Sequence, residues 1–325
     1  MILKHKIENV KKILLVNKRI FTQSSHKNDE IEGIHVSDDY YLFNDLQTVY
    51  RYRQSILEVF RDNYDDFVEI NTDSNDLRQN LSNENKILLF YLSSDDIAIY
   101  DLNSRKTIET ISFDKDISVY VKNGVIVTEG KSYTIKNIIS YWSLKNISES
   151  LWKHTLPEGF KIVGSVQVID NVLFFIAYKD NHYQLVTGLD IETGTILYQN
   201  QYEVTNENNF VVAKNLNEED KLMYGYGHVY QVLNPKTGEI ILQKEFKENK
   251  EYDLLPSINS IYDNKLWFVS RRGKEAKFGA IDLETSEIDF VQSFPLENDG
   301  QFDKPVFHQG KIYLHDSNNV LYVLE

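Results

Sequence analysis

The chain contains no cysteine in its 325 residues. It therefore forms no disulfide, no thiolate-ligated metal site and no cysteine nucleophile. Long apolar runs are missing too. Among the longest is Val172–Tyr178, the length of a strand and far short of the roughly 20 residues that a membrane helix takes. Basic charge is scarce, with 35 Lys and Arg against 49 Asp and Glu and a net charge of −14. Neutralising phosphates takes clustered Lys and Arg, so nucleic acid and anionic membrane are set aside as partners. The acidity suits a basic protein partner, and equally serves solubility. The N-terminal Met1–Lys12 mixes Lys, His and Glu with single apolar residues. It has neither the apolar stretch nor the cleavage site of a secretion signal, and the expected location is cytoplasmic.

What is abundant is strand material. Hydrophobic residues make up 42% of the chain and aromatics 13%, carried by 21 Tyr and 17 Phe. These side chains suit a pleated, half-buried surface. A repeat organises them. Leu189-Asp190-Ile191-Glu192-Thr193-Gly194-Thr195-Ile196 is echoed by Leu233-Asn234-Pro235-Lys236-Thr237-Gly238-Glu239-Ile240 and by Ile281-Asp282-Leu283-Glu284-Thr285-Ser286-Glu287-Ile288. A looser copy runs Asp101–Ile108 and a degenerate one Trp142–Asn146. Asp or Asn capping backbone N–H groups, followed by Gly in the left-handed conformation, is the chemistry of a tight hairpin. Alternation on either side (Tyr183, Leu185, Thr187, then Ile196, Tyr198, Asn200) has period two, which argues strand.

A second turn signal lies upstream of each hairpin. Asn123-Gly124, Asp170-Asn171, Asp263-Asn264 and Gln309-Gly310 are its strong copies, with weaker ones near Asp38, Glu84 and Glu219. These seven marks stand about 39 to 49 residues apart, the period of a four-stranded propeller blade. The expectation is an all-β chain forming one domain over 1–325, a seven-bladed β-propeller of four-stranded antiparallel blades. The last unit ends after three strands, so a strand from residues 1–24 is expected to close the ring and remove its open edges. The candidates are Ile2–Ile7, Lys12–Val16 and Arg19–Gln23.

The Asp-x-x-Thr-Gly hairpin repeat, over roughly Ile97–Glu325, resembles that of the quinoprotein-like propellers, named for the pyrroloquinoline-quinone alcohol dehydrogenases. The resemblance implies the architecture only. Those enzymes have more blades, a vicinal Cys pair, a metal-binding carboxylate cluster and a secretion signal, whereas neither Cys nor signal is read here, so no catalytic residue is transferred. WD-repeat propellers fit less well, since no Gly-His paired with Trp-Asp recurs at blade spacing.

Chemistry is harder to find. The eight His show neither His-x-His nor His-Glu-x-x-His spacing, so no metal site and no cofactor is expected. Glu129-Gly130-Lys131-Ser132 lacks the earlier Gly of a phosphate loop, Val125 standing in its place, and reads as a hairpin turn. The densest charge is Asp62, Asp65, Asp66, Glu69, Asp73 and Asp76, placed in a link between blades and expected to meet a basic partner. Asn71, Asp73 and Asn75 alternate as oxygen ligands, but the Gly and closing Glu of a calcium loop are missing. Tyr226, His228, Arg271 and Arg272 are expected on loops of the same face, where they would contact a small ligand.

Three functions follow in order of preference. The first is a non-enzymatic protein-binding propeller, in one version an acidic immunity or antitoxin-type inhibitor of a basic protein. The second is an enzyme or small-ligand binder using the central channel, and the third a structural subunit of a larger assembly.

Overall fold

The structure is a computed structural model. It describes residues 1–16, 18–28, 31, 33–44, 49–53, 56–60, 67–70, 77–83, 86–91, 96–101, 104, 106–115, 117–121, 124–132, 135–180, 182–203, 212–216, 221–226, 229–246, 260–269, 275–295 and 301–325. Among these residues every regular element is a β-strand. They divide into two compact units, residues 1–115 with 300–325, and residues 116–299.

The first unit opens with β1 (Leu3–Ile7), then β2 (Val10–Val16), β3 (Arg19–Ser24) and β4 (Ile34–Ser37). Next come β5 (Tyr41–Asn44), β6 (Val49–Arg53), β7 (Ile56–Phe60) and β8 (Val68–Ile70), followed by β9 (Leu77–Asn83), β10 (Lys86–Tyr91), β11 (Asp96–Asp101) and β12 (Lys106–Ser112). Strands β5–β8 and β9–β12 each form an antiparallel four-stranded sheet in chain order, whereas β2, β3 and β4 form a three-stranded sheet in which β4 runs parallel to β3.

The second unit repeats one plan four times: β13 (Ile117–Val121) to β16 (Asn146–Thr155), β17 (Lys161–Ile169) to β20 (Ile196–Glu203), β21 (Val212–Leu216) to β24 (Ile240–Glu245), and β25 (Ser260–Tyr262) to β28 (Ile288–Pro295). The strands between are β14 (Gly124–Ser132) and β15 (Ile135–Ser143), β18 (Val172–Lys179) and β19 (Tyr183–Asp190), β22 (Lys221–Tyr226) and β23 (Val229–Leu233), and β26 (Lys265–Val269) and β27 (Glu275–Asp282). The chain then returns to the first unit as β29 (Val306–His308), β30 (Lys311–His315) and β31 (Leu321–Leu324).

This last sheet takes its fourth strand from the other end of the chain. β1 pairs antiparallel with β31, Ile7 opposite Leu321 and Leu3 opposite Leu324. Ile2 and Glu325 exchange backbone hydrogen bonds at 2.8 and 3.1 Å. Of the three candidate closing segments it is therefore Ile2–Ile7 that pairs.

The count of seven does not carry over. Among the described residues there are eight sheets, seven of four strands and one of three. The reason lies in the turn near Asp38, which joins β4 to β5 in different sheets. The two N-terminal segments left over, Val10–Val16 and Arg19–Ser24, pair with each other as the β2–β3 hairpin, Val16 opposite Arg19. The other six marks each fall between the first and second strands of a sheet.

The middle strands depart from simple alternation. Every residue from Leu173 to Tyr178 is buried, because both faces of this sheet are covered. Phe175 and Ala177 pack with Ile126 and Ile139 of the preceding sheet, whereas Phe174, Ile176 and Tyr178 face Leu233 of the following one. Among the fourth strands β24 keeps the two-residue period, alternating half-buried and exposed.

In two sheets of the second unit both turn signals lie at one end and bond to each other. Asp190 Oδ1 accepts the N–H of Thr193 at 2.8 Å and of Glu192 at 3.1 Å, and the Thr193 hydroxyl at 2.9 Å. Its other oxygen accepts from the Asn171 amide at 2.9 Å, and the Ile191 N–H donates to the Asn171 carbonyl at 3.0 Å. Asp282 receives Thr285 and Glu284 likewise, at 2.8 and 3.0 Å, while Leu283 N–H reaches the Asn264 carbonyl at 3.0 Å. Hence the constant offset between the two signals in the sequence. These donated bonds, the Thr193 and Thr285 backbone N–H groups foremost, hold both carboxyls below the ordinary aspartate range.

The turn also receives the neighbouring sheet. Trp152 on β16 donates its indole N–H to the Ile191 carbonyl at 2.9 Å, and its ring lies over Gly194. One repeat on, Tyr198 lies over Gly238 and donates to the Pro235 carbonyl, with Asn200 reaching Thr237 O at 2.8 Å and Tyr202 reaching Gly238 O at 2.9 Å. Gly194 and Gly238 both have φ of +70°, while the third copy places Ser286 at +59°. A Cβ at Gly194 would stand 2.6 Å from the Trp152 ring.

Gly194→Ala therefore meets backbone strain and a clash together and should lower the unfolding free energy by about 1–3 kcal/mol. Ser286→Gly relieves the left-handed conformation but adds chain entropy and removes a hydroxyl beside the buried Tyr230, and should cost less than Gly194→Ala, about 1 kcal/mol or below. Urea denaturation of the two variants checks the contrast. Acid adds a second expectation. A depressed carboxyl contributes stability above the unfolded value, about 3.9, that is lost as pH falls through the folded one. The wild-type urea midpoint should thus drop below about pH 4, and Asp190→Asn should flatten part of that drop.

Candidate functional site

Most of the residues singled out from the sequence lie outside the described ones: Asp62, Asp65, Asp66, Asp73, Asp76, His228, Arg271 and Arg272. Glu69 is described. It is exposed in the middle of β8, a fourth strand, rather than in a link between sheets, and stands opposite Glu58 on β7. Glu58 is engaged in a two-pronged pair with Arg51, at 2.8 and 2.9 Å, and that guanidinium lies over the Phe67 and Tyr40 rings. Tyr226 is the last residue of β22, opposite Val229. Among the described residues no three His, Asp or Glu side chains gather as a metal site.

A different set of residues recurs. In five sheets the register between third and fourth strands shifts by one residue near the hairpin, in β16 beyond a further irregularity that leaves out three residues. In β20, Tyr198 pairs with Gly188 and Ile196 with Leu189, leaving Leu197 as the extra residue. The same β-bulge leaves out Ile108 in β12, Leu151 in β16, Ile241 in β24 and Asp289 in β28. An inserted residue bends the strand and re-aims its side chain. In four of these five sheets that side chain is aliphatic, and it is turned to solvent. Ile108 is 54% exposed, Leu151 59%, Leu197 51% and Ile241 54%.

The bulge itself does not demand an aliphatic residue. Asp289 occupies the same place in β28 and pairs with Lys265 of its own sheet. Neither does the edge: an unpaired outer strand is ordinarily guarded by charge, and an apolar residue there works against that protection. The fourth strands β16, β20 and β24 present Leu151, Leu197 and Ile241 in three consecutive sheets of one unit. Exposed glutamates accompany them, Glu149, Glu203 and Glu245. The signal was present in the sequence as paired aliphatics, Ile196-Leu197 and Ile240-Ile241, which interrupt an otherwise alternating strand.

The architecture is that of a β-propeller. No family model matches the chain, and no curated protein does. Among solved structures it is similar to BamB from Moraxella catarrhalis, at 13% identity with 99% of this chain and 98% of that one covered and a TM-score of 0.57. It is also similar to Hsv2 from Kluyveromyces marxianus (12% identity, 86% and 88% covered, TM-score 0.54) and to Kluyveromyces lactis Hsv2 (12%, 86% and 90%, 0.52). At such identities the likeness speaks of fold.

If the aliphatic residues at the bulges serve no packing purpose, replacing Leu151, Leu197 and Ile241 together by Ser should change the unfolding free energy by less than about 1.5 kcal/mol, the sum of three ordinary surface substitutions. Chemical denaturation of the triple variant measures this.

Proposed function

We propose that this chain is a non-enzymatic, protein-binding β-propeller whose partner is a basic protein, in its sharpest form an immunity or antitoxin-type inhibitor. The observation that carries the reading is the series of solvent-exposed aliphatic residues at the bulges, an arrangement the fold does not require and a partner surface would cover. The net charge of −14 supports the sign of the partner, since complementary charge speeds encounter and selects against acidic proteins. In this reading Asp62, Asp65, Asp66, Glu69, Asp73 and Asp76 steer the partner, while Leu151, Leu197 and Ile241 hold it.

The two roles separate kinetically. Affinity capture from the native cell followed by mass spectrometry supplies the partner, and purified components then give rates. Neutralising Asp62, Asp65, Asp66 and Glu69 together should slow association about tenfold at low salt and weaken its salt dependence. The triple Ser variant should instead speed dissociation about a hundredfold, at roughly 1 kcal/mol for each half-exposed side chain that becomes buried. Unchanged rates in both variants, for every captured protein, would overturn the reading.

A further inference from the structure

The sheet of β2, β3 and β4 is one strand short of the other seven. β2 packs against β29, β30 and β5, so it takes the place of a first strand, and β4 stands third. Among the described residues no strand pairs with the edge of β4 that faces away from β3. The strand is nevertheless firmly seated. Val36 is fully buried in a cluster with Phe21, Leu42 and Val49, Ile34 packs against that cluster, and His35 Nε2 donates to the Ser24 carbonyl at 3.1 Å. Gly33 brings the chain in beside β3, where a Cβ would stand 2.6 Å from the Ile20 carbonyl oxygen.

This edge lacks the guards that the other outer strands carry. A free edge presents a row of backbone N–H and C=O groups, and charge, Pro or a bulge keeps other chains from pairing with it. Each of the seven other outer strands contains at least one Lys, Asp or Glu, and all but β8 have an irregular register as well. β4, reading Ile34-His35-Val36-Ser37, contains no Lys, Arg, Asp, Glu or Pro, and its register runs without a shift. The molecule already fills one such place from a distance: the last sheet has three strands of its own and takes β1 as its fourth.

Charge attached to the same cluster selects what comes to the edge. The residues packed with Val36 include Phe60 and Phe67, ring centroids 5.6 Å apart. Between those two the chain carries Asp62, Asp65 and Asp66 against one Arg. We propose that β4 is a strand-addition site, where an extended basic segment of the partner protein pairs with Ile34–Ser37 and completes the sheet. This mode rests on the reading of the partner as a basic protein and adds how it is gripped. Main-chain pairing supplies the affinity, and the acidic flank selects the sign.

A peptide alternating Lys and Val tests this on the full-length chain by hydrogen exchange and mass spectrometry. With the peptide at about ten times its dissociation constant, taken from titration calorimetry, the amides of residues 33–37 turned away from β3 should exchange about tenfold more slowly. The same peptide with every backbone nitrogen methylated keeps the charge and loses the N–H donors, and should give no protection. A peptide alternating Glu and Val should give none either. The proposal is overturned if the Lys–Val peptide leaves residues 33–37 unprotected, or if the methylated or the Glu–Val peptide protects them equally. Protection that rises with protein concentration in the absence of peptide would also overturn it, by assigning the edge to a second copy. No captured partner enters this experiment, so its outcome is separate from the association and dissociation rates that decide the preceding reading.

Discussion

Three-atom reach from a short side chain organises the second unit. Asp190, Asn234 and Asp282 each fold their oxygen back onto the backbone N–H groups of the next residues, and everything placed by the hairpin follows from that. The bond fixes the turn, and the turn forces a left-handed residue at its fifth position. Where that residue is Gly, as at Gly194 and Gly238, the bare backbone becomes the platform for an aromatic ring from the preceding sheet. A hydrogen-bonded hairpin thus becomes the docking point between repeats. In solenoid and propeller architectures such nearest-neighbour contacts carry much of the stability, and here they are built from the same few residues that close the turn.

Polar groups that are buried elsewhere follow the same economy. Gln184 on β19 and Gln231 on β23 are fully buried in neighbouring sheets, and their amides bond to each other reciprocally at 3.0 and 3.2 Å. Gln231 also donates to Gln243 at 2.6 Å. A face-to-face sheet contact made only of Leu, Ile and Phe would tolerate a slip of one repeat against another. The amide pair is satisfied in a single alignment, and a slip would strand two buried amides at a cost of several kcal/mol.

How far these features could be read in advance depends on whether they are local. The Asp-x-x-Thr-Gly turns, the upstream Asp-Asn turns and their constant offset are chemistry within a few residues, and the sheets place them where alternation and turn signals predict. The closing strand was legible as a need, because β29–β31 end one strand short, but the choice of Ile2–Ile7 rests on pairing between residues more than 300 apart. The number of sheets was misjudged at Asp38 for a related reason. A turn sequence tells that the chain reverses and says nothing of which strands it joins, and the parallel β3–β4 pair has no local signature. The bulge residues were hidden differently: Leu197 and Ile241 look like core aliphatics until the register shift turns them outward. The acidic segment from Asp62 to Asp76 was conspicuous by composition, and only Glu69, on β8, has a described place.

The bulges also bear on why a propeller would expose aliphatic side chains at all. An outer strand with free backbone groups invites pairing with any passing strand, and a bulge blunts that hazard by breaking the regular hydrogen-bond row. The same irregularity that makes the edge a poor template for indiscriminate pairing lifts one side chain clear of the strand. Side chains distinguish one polypeptide from another, whereas the backbone is shared by all. Asp289 shows how cheaply the character of each position is changed: with one substitution the bulge of β28 exchanges an apolar contact for an ion pair with Lys265 inside its own sheet. In five sheets the repeat therefore holds the scaffold constant while the chemistry of the bulge side chain is free to differ from sheet to sheet.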